Sequence, residues 1–315
     1  MWIGLGTKRI GVVLGGALVC GALAAPTSAL RLPRAPECPV FPANNVWNKR
    51  VDDLPVAANS RRLIRSIGRD DNLHADFGSG RYEGSKIGIP ITIVGDGQRK
   101  KRVRFVYAEE SDEGPYPIPR DVKIEGGRRS DGDRHAIIVH KDECRLYELF
   151  ALYRRSDGGW KAGSGAIWDL RSNELRPKGW TSADAAGLPI LPGLARWDEV
   201  KRGRIDHALR FTAAETRRKY IYPARHFASD SDDPSLPPMG LRVRLKPSFR
   251  LRGFPPQARV VLKALKRYGM ILADNGSDWF VSGAPNKHWD NDDLHSLHEV
   301  PGSAFQVVDT SSLRP

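Results

Sequence analysis

The chain has 315 residues, 40% of them apolar and 28% charged, and a formal net charge of +13 at pH 7. This balance excludes a disordered chain, and the length suffices for a well-buried core in one large domain. Three cysteines are too few for a disulfide-stapled miniature fold, and the basic excess points toward polyanionic partners.

Residues 1–29 read as an export signal. Lys8 and Arg9 form a basic head, residues 10–25 are an uncharged run, and Ala22-Leu23-Ala24 and Thr27-Ser28-Ala29 are cleavage-type strings. The apolar run is short for a helix crossing roughly 30 Å of hydrocarbon, so no stable membrane span is expected after cleavage. Loss of the signal leaves a charge of about +11 and two cysteines, Cys38 and Cys144. A secreted or periplasmic location favours one bridge between them over two free thiols.

Residues 30–42, with prolines at 33, 36, 39 and 42, read as an extended lead-in, and 43–312 as a single globular domain. The loop 229–238 is the one place where that domain could divide into lobes. Strands are predicted at 87–94 and 103–108, joined as a hairpin through residues 95–100. Further strands follow at 135–140, 144–153, 165–170, 206–212, 241–245, 270–274, 279–282 and 305–309. Asn275-Gly276-Ser277 reads as the turn of a second hairpin, between 270–274 and 279–282. Helices are predicted at 57–67, 196–202, 256–268 and 291–298. Many strands and a few peripheral helices indicate a β-rich fold, all-β or α+β and β-sandwich-like, with a parallel βαβ design as the weaker alternative.

Standard catalytic signatures are absent. There is no glycine-rich phosphate loop, helical zinc pair, Gly-x-Ser-x-Gly elbow or Cys-x-x-Cys, which argues against nucleotide enzymes, zincins and ordinary esterases. Polar residues instead interrupt apolar strand faces. Glu148 shares a face with Leu146, Phe150 and Leu152, where burial would lift its pKa toward that of a general acid. His207 shares one with Leu209 and Phe211, while Arg210 takes the other. Asp169 and Arg171 flank the end of one strand, and Asp133 and His135 precede another. If these strands line one concave sheet, they form a cleft with carboxylates, imidazoles and guanidinium groups.

Loop segments add candidates: Leu73–Gly78 with His74 and Asp76, the acidic run 109–113, Thr181–Asp184, and Tyr222–His226. His74, Asp76, His135, His207 and His226 are metal-ligand types, but without compact spacing no metal or other cofactor is expected.

Five strings resemble a group of uncharacterised secreted microbial proteins: residues 132–135 (GDRH), 165–173 (GAIWDLRSN), 179–189 (GWTSADAAGLP), 205–212 (IDHALRFT) and 273–277 (ADNGS). The resemblance spans about 44–309 and implies export, without supplying an activity. Function therefore rests on the residues. The first expectation is a secreted carbohydrate-active enzyme, a glycoside hydrolase or polysaccharide lyase. Its catalytic residues would be Glu148 as acid, Asp169 as nucleophile or base, and His207 as a lyase base. Asp133, His135, Arg171, Arg210 and His226 would bind substrate. The alternative is a non-catalytic surface or polysaccharide-binding protein. Export makes a polysaccharide or cell-wall polymer, an anionic one by charge, a more natural partner than nucleic acid.

Overall fold

The computed structural model describes Met1 and residues 29–314, so the segment expected to be an export signal, apart from its ends, lies outside the described residues. Runs of β-branched and aromatic residues form the strands, and burial decides which are central. Ala136–His140 is buried at all five positions because both faces of its sheet are covered. Ile137 and Val139 pack with Leu146, Ala166 and Trp168; Ala136 and Ile138 pack with Tyr116, Tyr147 and Trp160. The four-stranded sheet runs in the order Gly165–Asp169, Arg145–Leu149, Ala136–His140, Ile91–Val94.

The second sheet has six strands, in the order Phe305–Val307, Arg242–Leu245, Met270–Asn275, Leu209–Ala213, Phe280–Ser282, His74–Asp76. The helices Ser60–Gly68 and Pro256–Arg267 supply Leu63, Ile67, Val261 and Leu265 to its core. Gly269 turns the second helix into the following strand at φ 66°; a Cβ there would meet the Val243 carbonyl at 2.1 Å, so only glycine fits. The fold is thus β-rich, with helices close to their predicted ranges. No described helix is long and apolar enough to cross a membrane.

Two expected hairpins do not form. Ile91–Val94 pairs in parallel with Ala136–His140, whereas Val103–Phe105 pairs with Trp160–Ala162 in a separate three-stranded sheet. Burial of Val103 beside Trp160 and Tyr116 draws the second strand away from the first. Met270–Asn275 and Phe280–Ser282 are separated by Leu209–Ala213, which pairs with both. An Asn-Gly pair sets a turn only where its flanking strands have no better partner, and here a fully buried strand intervenes.

The proline-rich lead-in is not simply extended. Arg31–Leu32 and Ala35–Pro39 form a small antiparallel ladder, and Leu32, Ala35, Val40 and Phe41 cover one face of the four-stranded sheet. Cys38 and Cys144 are disulfide-bonded, with Cα atoms 5.2 Å apart and a sequence separation of 106. Closing so long a loop restricts the unfolded chain, so Cys38→Ser with Cys144→Ser is expected to cost about 3–5 kcal/mol. Urea unfolding midpoints of the two proteins check this; equal midpoints would contradict it.

Candidate active site

Arg210 lies mid-strand in Leu209–Ala213, where every residue is buried. A guanidinium out of water must be matched by charge and hydrogen bonds. Its Nε and Nη2 donate to Asp184 Oδ2 and Oδ1 at 2.8 and 2.7 Å, Nη2 also to Asp274 Oδ2 at 3.0 Å, and Nη1 to Ser282 Oγ at 2.6 Å. A register shift between Phe211 and Thr212 pairs Thr212 with Asp274 instead of Ala273. Register partners share a face, so this bulge puts Asp274 on the face of Arg210. Ser282 in turn pairs with Asp76 in the parallel edge strand, which brings Asp76 toward the same place.

The four-stranded sheet supplies the other half. His135 immediately precedes its fully buried strand; Nδ1 meets Glu125 Oε2 at 2.6 Å and Nε2 meets the Ala183 carbonyl at 2.9 Å. Glu148, wholly buried, accepts the amides of Ile190 and Leu191 at 2.9–3.0 Å. One loop thus stitches the two sheets together. Ala183 holds His135, Asp184 holds Arg210, and residues 190–191 hold Glu148.

Electrostatics sort the carboxyl groups. Burial alone would raise Glu125, but the imidazolium of His135 overrides it and holds Glu125 below the usual range. Asp76 keeps solvent access on its edge strand, yet desolvation by the packed surroundings, then the charge of Glu125, pushes it up. Burial, then Asp184, raises Asp274 well above an ordinary carboxyl. Burial lifts Glu148 to about 7 against the two amides that hold its charged form. Burial lowers His135, yet Glu125 more than offsets it and leaves the group near 9.

The acceptor at Ala183 requires a proton on His135 Nε2, and the Glu125 carboxylate accepts a hydrogen bond from a second proton on Nδ1. Although one ligand-type atom from each of Glu125, Asp133 and His135 lies within 4.8 Å of the others, the imidazolium offers no lone pair to a metal. His135 instead holds Glu125 charged. The pair also sets a pH window. The contribution of His135 is fully present below its unfolded value of 6.5 and is lost as pH rises through about 9. That of Glu125 is present above 4.5 and is lost on acidification. Thermal stability is therefore expected to be greatest between about pH 4.5 and 6.5 and to fall as pH rises from 6.5 to about 9. A wild-type curve with no alkaline drop, or one that His135→Gln leaves unchanged, would refute the pairing.

The sequence candidates divide accordingly. Asp133, His135, Glu148 and Arg210 come together in or beside this centre. Asp169 does not. Its register partner is Arg145 while that of Glu148 is Ala166, which places the two carboxyls on opposite faces of the sheet. Asp169 is exposed and accepts the Arg171 amide in a turn, and Arg171 reaches the Glu143 carbonyl. His207 is wholly buried elsewhere, between Glu199 and the Ala208 carbonyl. His226 donates to the Ala185 carbonyl behind the stitching loop. The expected single concave sheet is thus replaced by a meeting of two sheets.

Asp76 and Asp184 stood out in the sequence only as loop carboxylates, and Glu125 and Asp274 not at all. Asp274 carries a related but weaker signal, a carboxylate at the end of the apolar run Met270-Ile271-Leu272-Ala273. Glu125, between Ile124 and two glycines, carries none.

A groove of about 1250 Å³ opens beside the centre. Its wall includes Gly78, Ile124, Gly126 and Asp131, each within two residues of Asp76, Glu125 or Asp133. Comparison with protein-family models, with curated proteins and with solved structures finds no match.

Proposed function

We propose that the protein is a carbohydrate-active hydrolase that cleaves glycosidic bonds in a polysaccharide or cell-wall polymer. The observation that carries this reading is the opposite displacement of two neighbouring carboxyl groups. Glu125 is held ionised by His135, and Asp76 is pushed toward its protonated form by desolvation and then by the charge of Glu125. Glycoside hydrolysis needs such a pair, one acid to protonate the leaving oxygen and one carboxylate to act as nucleophile or base. Asp76 takes the first role and Glu125 the second, with exposed Asp133 beside them to orient the sugar. Hydrolysis is favoured over elimination because both ring nitrogens of His135 are committed as donors and His207 is enclosed. A disulfide and the lack of a membrane-crossing helix among the described residues are compatible with an extracytoplasmic protein, and we take secretion as part of the proposal.

The rival reading, a non-catalytic binding protein, draws on the saturation of Arg210 by Asp184, Asp274 and Ser282. A screen of the purified protein against neutral and anionic polysaccharides separates them. New reducing ends that vanish in Glu125→Gln support hydrolysis. Ultraviolet absorbance from unsaturated uronates would mean a lyase and sink the assignment. Retarded migration in a polysaccharide gel without any product would leave only binding.

A further inference from the structure

The groove beside the carboxyl pair is larger than a small-molecule site, typically about 300–1,000 Å³, and suits a polymer. Arg81–Tyr82 and Ser85–Lys86 form a hairpin that pairs with no larger sheet and makes one wall. The Lys86 amide donates to the Gly126 carbonyl, tying that wall to the loop that carries Glu125. Eight Lys or Arg residues line the groove against four Asp or Glu. Of the eight, only Arg196 is buried and paired, to Glu199 at 2.7 Å. The others, among them Arg81, Lys86, Lys123, Arg128, Arg129 and Lys287, are exposed with no carboxylate in salt-bridge range among the described residues. The groove also holds the half-buried indole of Trp197, stacked on His288 with ring centroids 5.6 Å apart.

Unmatched cations around one groove create a positive potential that attracts and orients a polyanion. The neighbouring mouth, where Glu125 is held charged and Asp133 is exposed beside it, disfavours anions. A ligand suited to both has its charges along the groove and an uncharged linkage at the mouth. A sugar chain bearing periodic carboxylates or phosphates fits, and the Trp197 face suits a sugar ring. We infer that the groove binds an anionic glycan and leads its glycosidic bonds to the Glu125–Asp76 pair. The inference rests on the hydrolase reading for what happens at the mouth, but not for the binding itself.

The test is affinity electrophoresis and calorimetry of the whole protein with polygalacturonate, a phosphate-bearing wall teichoic acid, dextran, polyglutamate and duplex DNA. The two anionic glycans distinguish carboxylate from phosphate as the recognised group. One of them is expected to bind at least about tenfold tighter than dextran, with affinity falling as salt rises. Lys123→Glu with Arg129→Glu and Lys287→Glu, none of whose side chains makes a hydrogen bond among the described residues, is expected to weaken binding at least about tenfold. Arg99→Glu with Arg102→Glu, away from the groove, should leave it unchanged. Equal binding of dextran, polyglutamate or DNA would overturn the inference, as would equal weakening by the distant pair. If Glu125→Gln binds and only the wild type cleaves, both readings stand. Binding without cleavage by either protein keeps the groove assignment and defeats the hydrolase.

Discussion

Replacing Arg210 with Met is expected to destabilise the protein by about 3–5 kcal/mol, the cost of leaving buried charge unmatched. Arg210 is the shared partner of Asp184 and Asp274, and without it two carboxyl groups face one another. For a chain of this size the loss corresponds to a fall in Tm of roughly 10 °C. Arg210→Lys should recover little, because an ammonium cannot reproduce the two-pronged contact with Asp184. Arg210→Met with Asp184→Asn should recover part of the loss by removing one of the opposed carboxylates. Calorimetry of the four proteins checks this. A drop of only a degree or two in the single variant would mean that Arg210 is not the hub of the centre.

The second large effect is on catalysis. With a substrate from the screen in hand, Glu125→Gln is expected to lower kcat/KM roughly 10³–10⁴-fold, and Asp76→Asn roughly 10²–10⁴-fold. The leaving group separates the two roles. An aryl glycoside with an acidic phenol needs no protonation, so Asp76→Asn should regain activity on it while Glu125→Gln stays inactive. Recovery in the opposite variant would exchange the assignments. Glu125→Gln also removes the charge opposite His135, so a stability cost of about 1–3 kcal/mol is expected. Parallel Tm measurements keep that separate from the kinetic loss. Glu125→Asp, which retains the charge, should restore more stability than activity.

Several pieces of this centre were visible in the chain. Glu148 and Arg210 interrupt apolar strand runs, and a charged group on such a run must be matched by something. His135 and Asp133 precede a run of five buried residues. The same rule gave no way to grade Asp169 or His207. The strand Gly165–Asp169 ends at Asp169, which serves a turn, and His207 lies before its strand begins at Leu209. Glu125 was invisible because its role comes from one contact across ten residues of loop, and nothing periodic marks a loop contact.

Local sequence determined the strand and helix segments, since alternation and helical spacing act over a few residues. It also left a single pairing for the two cysteines beyond residues 1–29, and Cys38 and Cys144 are bonded. Tertiary structure alone decided which strands lie side by side. Leu209–Ala213 displaced an Asn-Gly hairpin because burying it on both flanks outweighs a local turn. Tertiary structure also decided that Asp76, Glu125, Asp184, Arg210 and Asp274 meet. Their proximity depends on a bulge, a parallel edge pairing and one bridging loop, each a long-range arrangement that no local pattern encodes.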